Sequence, residues 1–210
     1  MRALPHLLAW YAGLARPETQ TTSAEREAIV RHARGCRRVV EVGVWHGVTT
    51  ALLRDAMDPR GVLWAVDPFP PGRLGFNPQR PIASGHVGRV RNGTVRWVRT
   101  TGTIAADLYR DSGEDAPDLV FIDGDHSYEA AAGDWRAWSR LVRAGGVIGL
   151  HDSRATPGRD ISSAGSARVT RDLVLTERRF ETLEIVDSLT IVRCLAAAGS
   201  LSGPASTRVM

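Results

Sequence analysis

The chain has 210 residues, enough for one α/β domain with a substantial core, and its two cysteines, Cys36 and Cys194, are too few for a disulfide framework. Both sit in or beside apolar strand-like runs and read as buried thiols of a reducing compartment, the cytoplasm. Formal net charge is +4 and every basic side chain is an arginine. Arg89, Arg91, Arg96 and Arg99 are close in sequence, but the charges are otherwise spread and the basic stripe of a nucleic-acid face is missing; no apolar run is long enough to span a membrane.

Residues 3–15 are apolar enough to imitate a signal-peptide core, but Pro5, His6, Trp10 and Tyr11 suit that poorly, and an N-terminal helix is expected. Residues 23–34 read as a helix capped by Ser23 with acids in its first turn, completing a helical segment over 1–35. Arg38 to Val42 reads as a first strand, followed by a glycine turn and a helix near Thr49–Ala56. A second strand, Gly61 to Val66, ends at Asp67-Pro68. Residues 70–93 are rich in Gly, Pro and Arg with little periodicity, which is long for a simple connection and suggests a lid, a substrate loop or a partner surface.

Val95 to Val98 is a third strand, and a helix starts over Gly102–Tyr109. Leu119 to Ile122 is a fourth strand, with a helix from Tyr128 to Val142; Val147 to Leu150 is a fifth strand, ending at His151-Asp152. Residues 153–166 form another Gly/Pro/Ser-rich loop before a helix that runs to Arg179. The βα alternation implies an α/β fold with a parallel sheet and helices on both faces. The end differs: Leu183–Val186 and Leu189–Val192 flank Asp187-Ser188, the spacing of an antiparallel hairpin. Residues 1–195 thus read as a single domain and 196–210 as a loose, flexible tail.

The most informative stretch runs from Asp118 to Ala130, where an apolar run stops at Asp123-Gly124-Asp125-His126 and a helical pattern follows. In an open parallel sheet this is a strand releasing its last residues into the crevice where ligands bind. Two acids plus a histidine exceed what a helix cap requires, so a ligand, metal or proton-transfer role is expected. The first strand leads into Gly43-Val44-Trp45-His46-Gly47-Val48-Thr49. Glycines four apart let the backbone pass close to a ligand. The pattern is not G-x-G-x-x-G, and there is no P-loop lysine, which disfavours a pyrophosphate cradle and an NAD-dependent oxidoreductase. Asp67 ends the second strand, where two ribose hydroxyls could donate to its carboxylate.

On Glu41-x-Gly43-x-x-x-Gly47-x-Thr49, Asp67, the strand-end Asp123 and Gly145-Gly146-Val147, the chain resembles the class I S-adenosylmethionine-dependent methyltransferases over nearly its full length. Within that class, Phe121-Ile122-Asp123-Gly124-Asp125-His126-Ser127-Tyr128 looks like the bacterial macrocin-type O-methyltransferases and, more distantly, the catechol and caffeoyl-CoA O-methyltransferases. The resemblance implies a Rossmann-like, doubly wound, seven-stranded sheet, mostly parallel with an antiparallel last strand, which agrees with the hairpin. It implies that Gly43, Val44 and Trp45 line the methionine part of the cofactor, that Thr49 binds its carboxylate and that Glu41 supports the turn ending at Gly47. Asp67 would take the ribose, Thr101 and Gly102 would border the adenine, and Asp123 would adjoin the cofactor.

The resemblance further implies a small hydroxylated acceptor and a divalent cation, Mg²⁺ or Mn²⁺, held by Asp123, His151 and Asp152. His151 is a departure, since plant and animal relatives carry an acid there, and imidazole shifts preference towards transition metals. Those relatives also use a lysine three positions after the strand-four acid. This chain has no lysine; His126 stands there, with an imidazole suited to base work near neutrality. A metal-independent enzyme using His126 or His151, and a non-catalytic S-adenosylmethionine-binding protein, remain open at this stage. Homo-oligomerisation is open as well.

Overall fold

The computed structural model describes residues 3–72 and 75–196. The proposed tail at 196–210 lies outside them except for its first residue. The elements in chain order are α1 (Ala3–Tyr11), α2 (Ser23–Ala33), β1 (Arg38–Val42), α3 (Val48–Ala56), β2 (Val62–Val66), α4 (Gln79–Val87), β3 (Thr94–Val98), α5 (Gly102–Asp111), β4 (Leu119–Ile122), α6 (Tyr128–Trp138), β5 (Val147–Leu150), α7 (Gly165–Val169), β6 (Phe180–Val186) and β7 (Leu189–Cys194). The seven strands form one sheet in the order β3-β2-β1-β4-β5-β7-β6. β1 to β5 are parallel; β7 runs antiparallel to β5 and to β6. The strand order reverses between β1 and β4, and a ligand crevice is expected outside their carboxyl ends. Val42 pairs with Ile122, so Gly43 and Asp123 emerge side by side.

The central strands are buried on both faces, which is why they read as continuous apolar runs. Val40, Val42, Val120 and Ile122 point to one face, where Trp135 and Trp138 of α6 and Tyr109 of α5 cover them. Val39, Leu119 and Phe121 point to the other, covered by Ala28, Ile29 and Ala33 of α2 and Leu53 of α3. Glu41 is fully buried within β1 beneath the glycine turn.

Several boundaries differ from expectation. Thr22, not Ser23, caps α2: its hydroxyl accepts from Glu25 N at 3.1 Å while Glu25 Oε2 accepts from Thr22 N at 2.7 Å. The 70–93 segment holds a helix, α4, started where Asn77 Oδ1 accepts from Gln79 N at 2.9 Å and Arg80 N at 3.1 Å. Pro81 sits in the first turn of α4, where its missing N–H costs nothing. α6 stops at Trp138 instead of Val142. The last helix is short: α7 passes into a π-helical turn, Thr170–Val174, that ends before Arg179 and leaves room for a longer β6. Cys194 is buried as expected, whereas Cys36 is half-buried. No helix among the described residues is long and apolar enough to cross a membrane.

Thr22→Ala removes the hydroxyl half of the capping box and should lower unfolding free energy by about 1 kcal/mol, read from urea denaturation midpoints at unchanged slope.

Candidate active site

A cavity of about 580 Å³ opens at the carboxyl ends of β1, β2, β3 and β4. Glu41, Gly43, Val44, Trp45, Thr49, Asp67, Thr101, Gly102, Asp123 and His126 all line it. Gly47 does not; it is left-handed at φ 74° and starts α3. His151 and Asp152 lie beneath the cavity and do not line it. The structure therefore gathers the expected cofactor and base residues around one space and sets two of the three expected metal ligands behind it.

The turn after β1 is tightly built. Gly43 has φ 92°, and a Cβ there would fall 1.9 Å from the carbonyl oxygen of Asp123. Trp45 follows at φ 50°, strained for a bulky residue. Asp67 holds the turn: Oδ2 accepts from Val44 N and Trp45 N, each at 3.0 Å, and Oδ1 accepts from Phe69 N at 2.7 Å. The second-strand acid thus buckles the glycine turn as well as facing the cavity. Burial holds the Glu41 carboxyl well above the usual carboxylate range, and Glu41 Oε2 has no hydrogen-bond partner among the described residues.

After β4, Asp125 Oδ1 accepts from Ser127 N at 2.7 Å, and Ser127, the N-cap of α6, accepts from Ala130 N at 3.3 Å. Helix capping falls to this pair, which leaves Asp123 and His126 free for other work. The His126 side chain is 41% exposed, and its Nε2 lies 3.7 Å from Asp152 Oδ2.

Behind them lies a buried charge network. His151 Nδ1 is 2.8 Å from Asp123 Oδ1, and its Nε2 is 3.3 Å from Glu25 Oε2. Burial opposes charge on this ring, but the hydrogen bonds to Asp123 and Glu25 outweigh it and raise the His151 pKa to about 10. Burial likewise opposes charge on Glu25, and its bonds to His151, Ser188 and Thr22 lower it to about 2. Asp152 is gripped by Arg159 through two hydrogen bonds, at 2.5 and 2.7 Å.

This donor set does not suit a divalent cation. His151 has both ring nitrogens committed to carboxylates and carries a proton on each when charged. Asp152 has both oxygens on a guanidinium. A second group, His6, Glu18 and His46, brings possible ligand atoms within 4.8 Å of one another. There the imidazoles stack face to face at 5.0 Å and 1°, so their in-plane lone pairs run parallel instead of converging, and His46 Nδ1 already accepts from Glu18 N at 3.1 Å. Trp45 stacks on His46 in turn, at 4.6 Å.

One lining residue escaped the sequence reading. Asp134 of α6 is 5% exposed, and burial raises its carboxyl to about 6. Ala131, Trp135 and Trp138 mark the buried face of α6, and an acid three residues after Ala131 on that face was the available signal.

An open α/β sheet with this strand order, closed by an antiparallel hairpin and carrying a glycine turn and strand-end acids around one cavity, has the architecture of the class I methyltransferases. The family model for a methyltransferase domain matches residues 40–153, and the chain belongs to that family, the S-adenosylmethionine-dependent methyltransferases. Comparison with curated proteins gave no match. Among solved structures the chain is similar to an O-methyltransferase from Bacillus cereus in complex with SAH, at 16% identity over 92% of this chain and 91% of that one, with a TM-score of 0.62. It is similar to cofactor-bound Rv0187 from MTB, at 21% identity over 93% and 91%, with a TM-score of 0.66. TomG, an O-methyltransferase from Streptomyces achromogenes involved in tomaymycin synthesis and solved with SAM, matches at 16% identity over 92% and 90%, with a TM-score of 0.66. At these identities the likeness is one of fold.

The raised pKa of His151 adds stability that is complete below about 6.5 and is lost as pH rises towards 10. The depressed pKa of Glu25 adds stability present above 4.5 and lost as pH falls towards 2. The pair should therefore contribute most near pH 5–6. Glu25→Ala, which strands a buried imidazolium, should cost about 3–5 kcal/mol there. His151→Gln should flatten the alkaline fall in stability between about pH 7 and 10, as followed by urea titration at a series of pH values.

Proposed function

We propose that this protein is an O-methyltransferase acting on a small hydroxylated molecule, with His126 as general base and without help from a divalent cation. The observation that carries the reading is the placement of His126: its ring stands on the wall of the cavity, beside Asp123 and 3.7 Å from the buried Asp152 carboxylate. S-adenosylmethionine supplies a methyl group on a cationic sulfonium. Acids dominate the titratable lining of the cavity among the described residues, with Glu18, Asp67, Asp123, Asp125 and Glu129 present, which suits that charge.

In this reading Gly43, Val44 and Trp45 hold the methionine part, Thr49 binds its carboxylate, Asp67 takes the ribose hydroxyls, and Thr101 and Gly102 border the adenine. Glu41 supports the turn as a neutral acid. His126 accepts the acceptor's hydroxyl proton as that oxygen attacks the methyl carbon and the carbon–sulfur bond breaks. Asp152 stabilises the resulting imidazolium across 3.7 Å, while Arg159 keeps Asp152 ionised and His151 holds Asp123 in place. The metal-assisted route expected from the resemblance gives way to this one because fixed cations of the chain already neutralise the carboxylates a metal would use. Residues 1–195 act as one methyltransferase domain, and the free thiols favour a cytoplasmic setting.

Two measurements test the reading. His126→Ala should slow methyl transfer in single turnover by about 10²–10⁴, roughly 3–5 kcal/mol, at unchanged S-adenosylhomocysteine affinity. A variant that transfers methyl at the wild-type rate would remove the base role. Wild-type protein treated with a strong chelator should keep its rate; loss on chelation with recovery in Mg²⁺ or Mn²⁺ would restore the metal route.

A further inference from the structure

A general base has to be held where the acceptor's proton will be. Asp125 and Ser127, on either side of His126, are spent on capping α6, and the His126 ring stands half-exposed on the cavity wall. Its main chain is held from α7. Gly165, the first residue of α7, lies so close that a Cβ on it would fall 2.6 Å from His126 O, and closer still to Ser127 C and Tyr128 N. These are backbone atoms at the start of α6 and cannot swing aside as the end of a long side chain would.

The next residue, Ser166, is buried, and its hydroxyl donates to Asp152 O at 2.8 Å. Asp152 sits in left-handed backbone at φ 49°, a conformation that persists only where its surroundings support it. Ser166 is fixed in turn, since Thr170 Oγ1 donates to Ser166 O at 3.0 Å. Arg168 adds a third hold, with its guanidinium 4.8 Å from the centroid of the Tyr128 ring. Two consecutive residues of α7 therefore press on the peptide that carries His126 and tie down the peptide that carries Asp152. Between those two peptides lies the 3.7 Å separation of His126 Nε2 from Asp152 Oδ2. Gly165 and Ser166 themselves stand outside the lining of the main cavity.

We propose that Gly165 and Ser166 are positioning residues for the base: the start of α7 sets the apposition of His126 and Asp152, and with it the direction in which the imidazole faces the acceptor. This rests on the reading of His126 as general base. Geometry of this kind matters because a misplacement of about 1 Å can cost on the order of 10² in rate.

The test is read on the His126 ring and needs no acceptor. In protein carrying ¹³C-labelled histidine, each imidazole gives its own Cε1–H signal by NMR, and the His126 signal is the one lost in His126→Gln. Asp152→Asn keeps the shape of that side chain and removes its charge, so at one fixed pH it should shift the His126 signal. In a Gly165→Ala background the same change should leave the His126 signal where it is, because the ring has left the carboxylate. The signals of His6, His32, His46 and His86, on other elements, should stay in place in Gly165→Ala, and S-adenosylhomocysteine should bind it as tightly as the wild type by calorimetry. A response to Asp152→Asn as large in Gly165→Ala as in the wild type overturns the proposal, since the contact is then structural only. So does a wild-type His126 signal that Asp152→Asn does not move. If Gly165→Ala does not fold, Ser166→Ala, which removes only a hydroxyl, decides the matter: the response should be reduced, and a full response overturns the proposal. A His126→Ala protein that transfers methyl at the wild-type rate would remove the base role separately, whatever the signals show.

Discussion

The close approach of β1 and β4 is the constraint on which the rest of the site depends. The backbone at Gly43 passes so near the Asp123 carbonyl that any side chain would collide with it. This contact lets the two strand ends share one mouth. It also forces the following turn through left-handed backbone at Trp45, and Asp67 restrains that turn from β2 through paired N–H bonds. Three strands thus contribute to one short stretch of main chain. The strain at Trp45 is tolerated because the carboxylate, the stacked His46 ring and the β1–β4 pairing all hold the same conformation.

A second organising element lies one layer deeper. His151 bridges Glu25 of α2 and Asp123 after β4, and Glu25 in turn accepts from Ser188 between the strands of the terminal hairpin. Burying an imidazolium is costly, and it is stable here because carboxylates meet both ring nitrogens. The arrangement joins the helical entry of the fold, its central strands and its closing hairpin through one ring. It also sets the electrostatics beside His126: the His151 and Arg159 side chains lie against the carboxylates of Asp123 and Asp152.

Much of this was legible in the residues. The five parallel strands announced themselves as apolar runs, and the two-residue gap at Asp187-Ser188 gave the hairpin and hence the unusual sheet ending. The acids and histidine after Ile122, and the glycines after Val42, marked the cavity because strand ends are where polar groups gather in this architecture. What stayed hidden required distant partners. Glu25 stands 126 positions before His151, so no local spacing could show that His151 was engaged, and the same holds for Arg159 until a loop folds it back onto Asp152. Asp134 was masked by the tryptophans and alanines around it. α4 was masked by Pro81 and its Gly- and Pro-rich flanks, although it buries Ile82, Ala83 and Val87.

The slab of three rings, His6 on His46 on Trp45, has a consequence for how the N-terminal segment reaches the cavity. Trp45 and His46 belong to the glycine turn and His6 to α1, so α1 meets that turn through a ring face, and Trp45 lines the cavity together with Glu18 to Gln20. Face-to-face contacts accept replacement more readily than a hydrogen-bonded strand ladder does. A change in the first twenty or so residues can therefore reshape one wall of the cavity through this stack without disturbing the β1–β4 register that sets the strand ends.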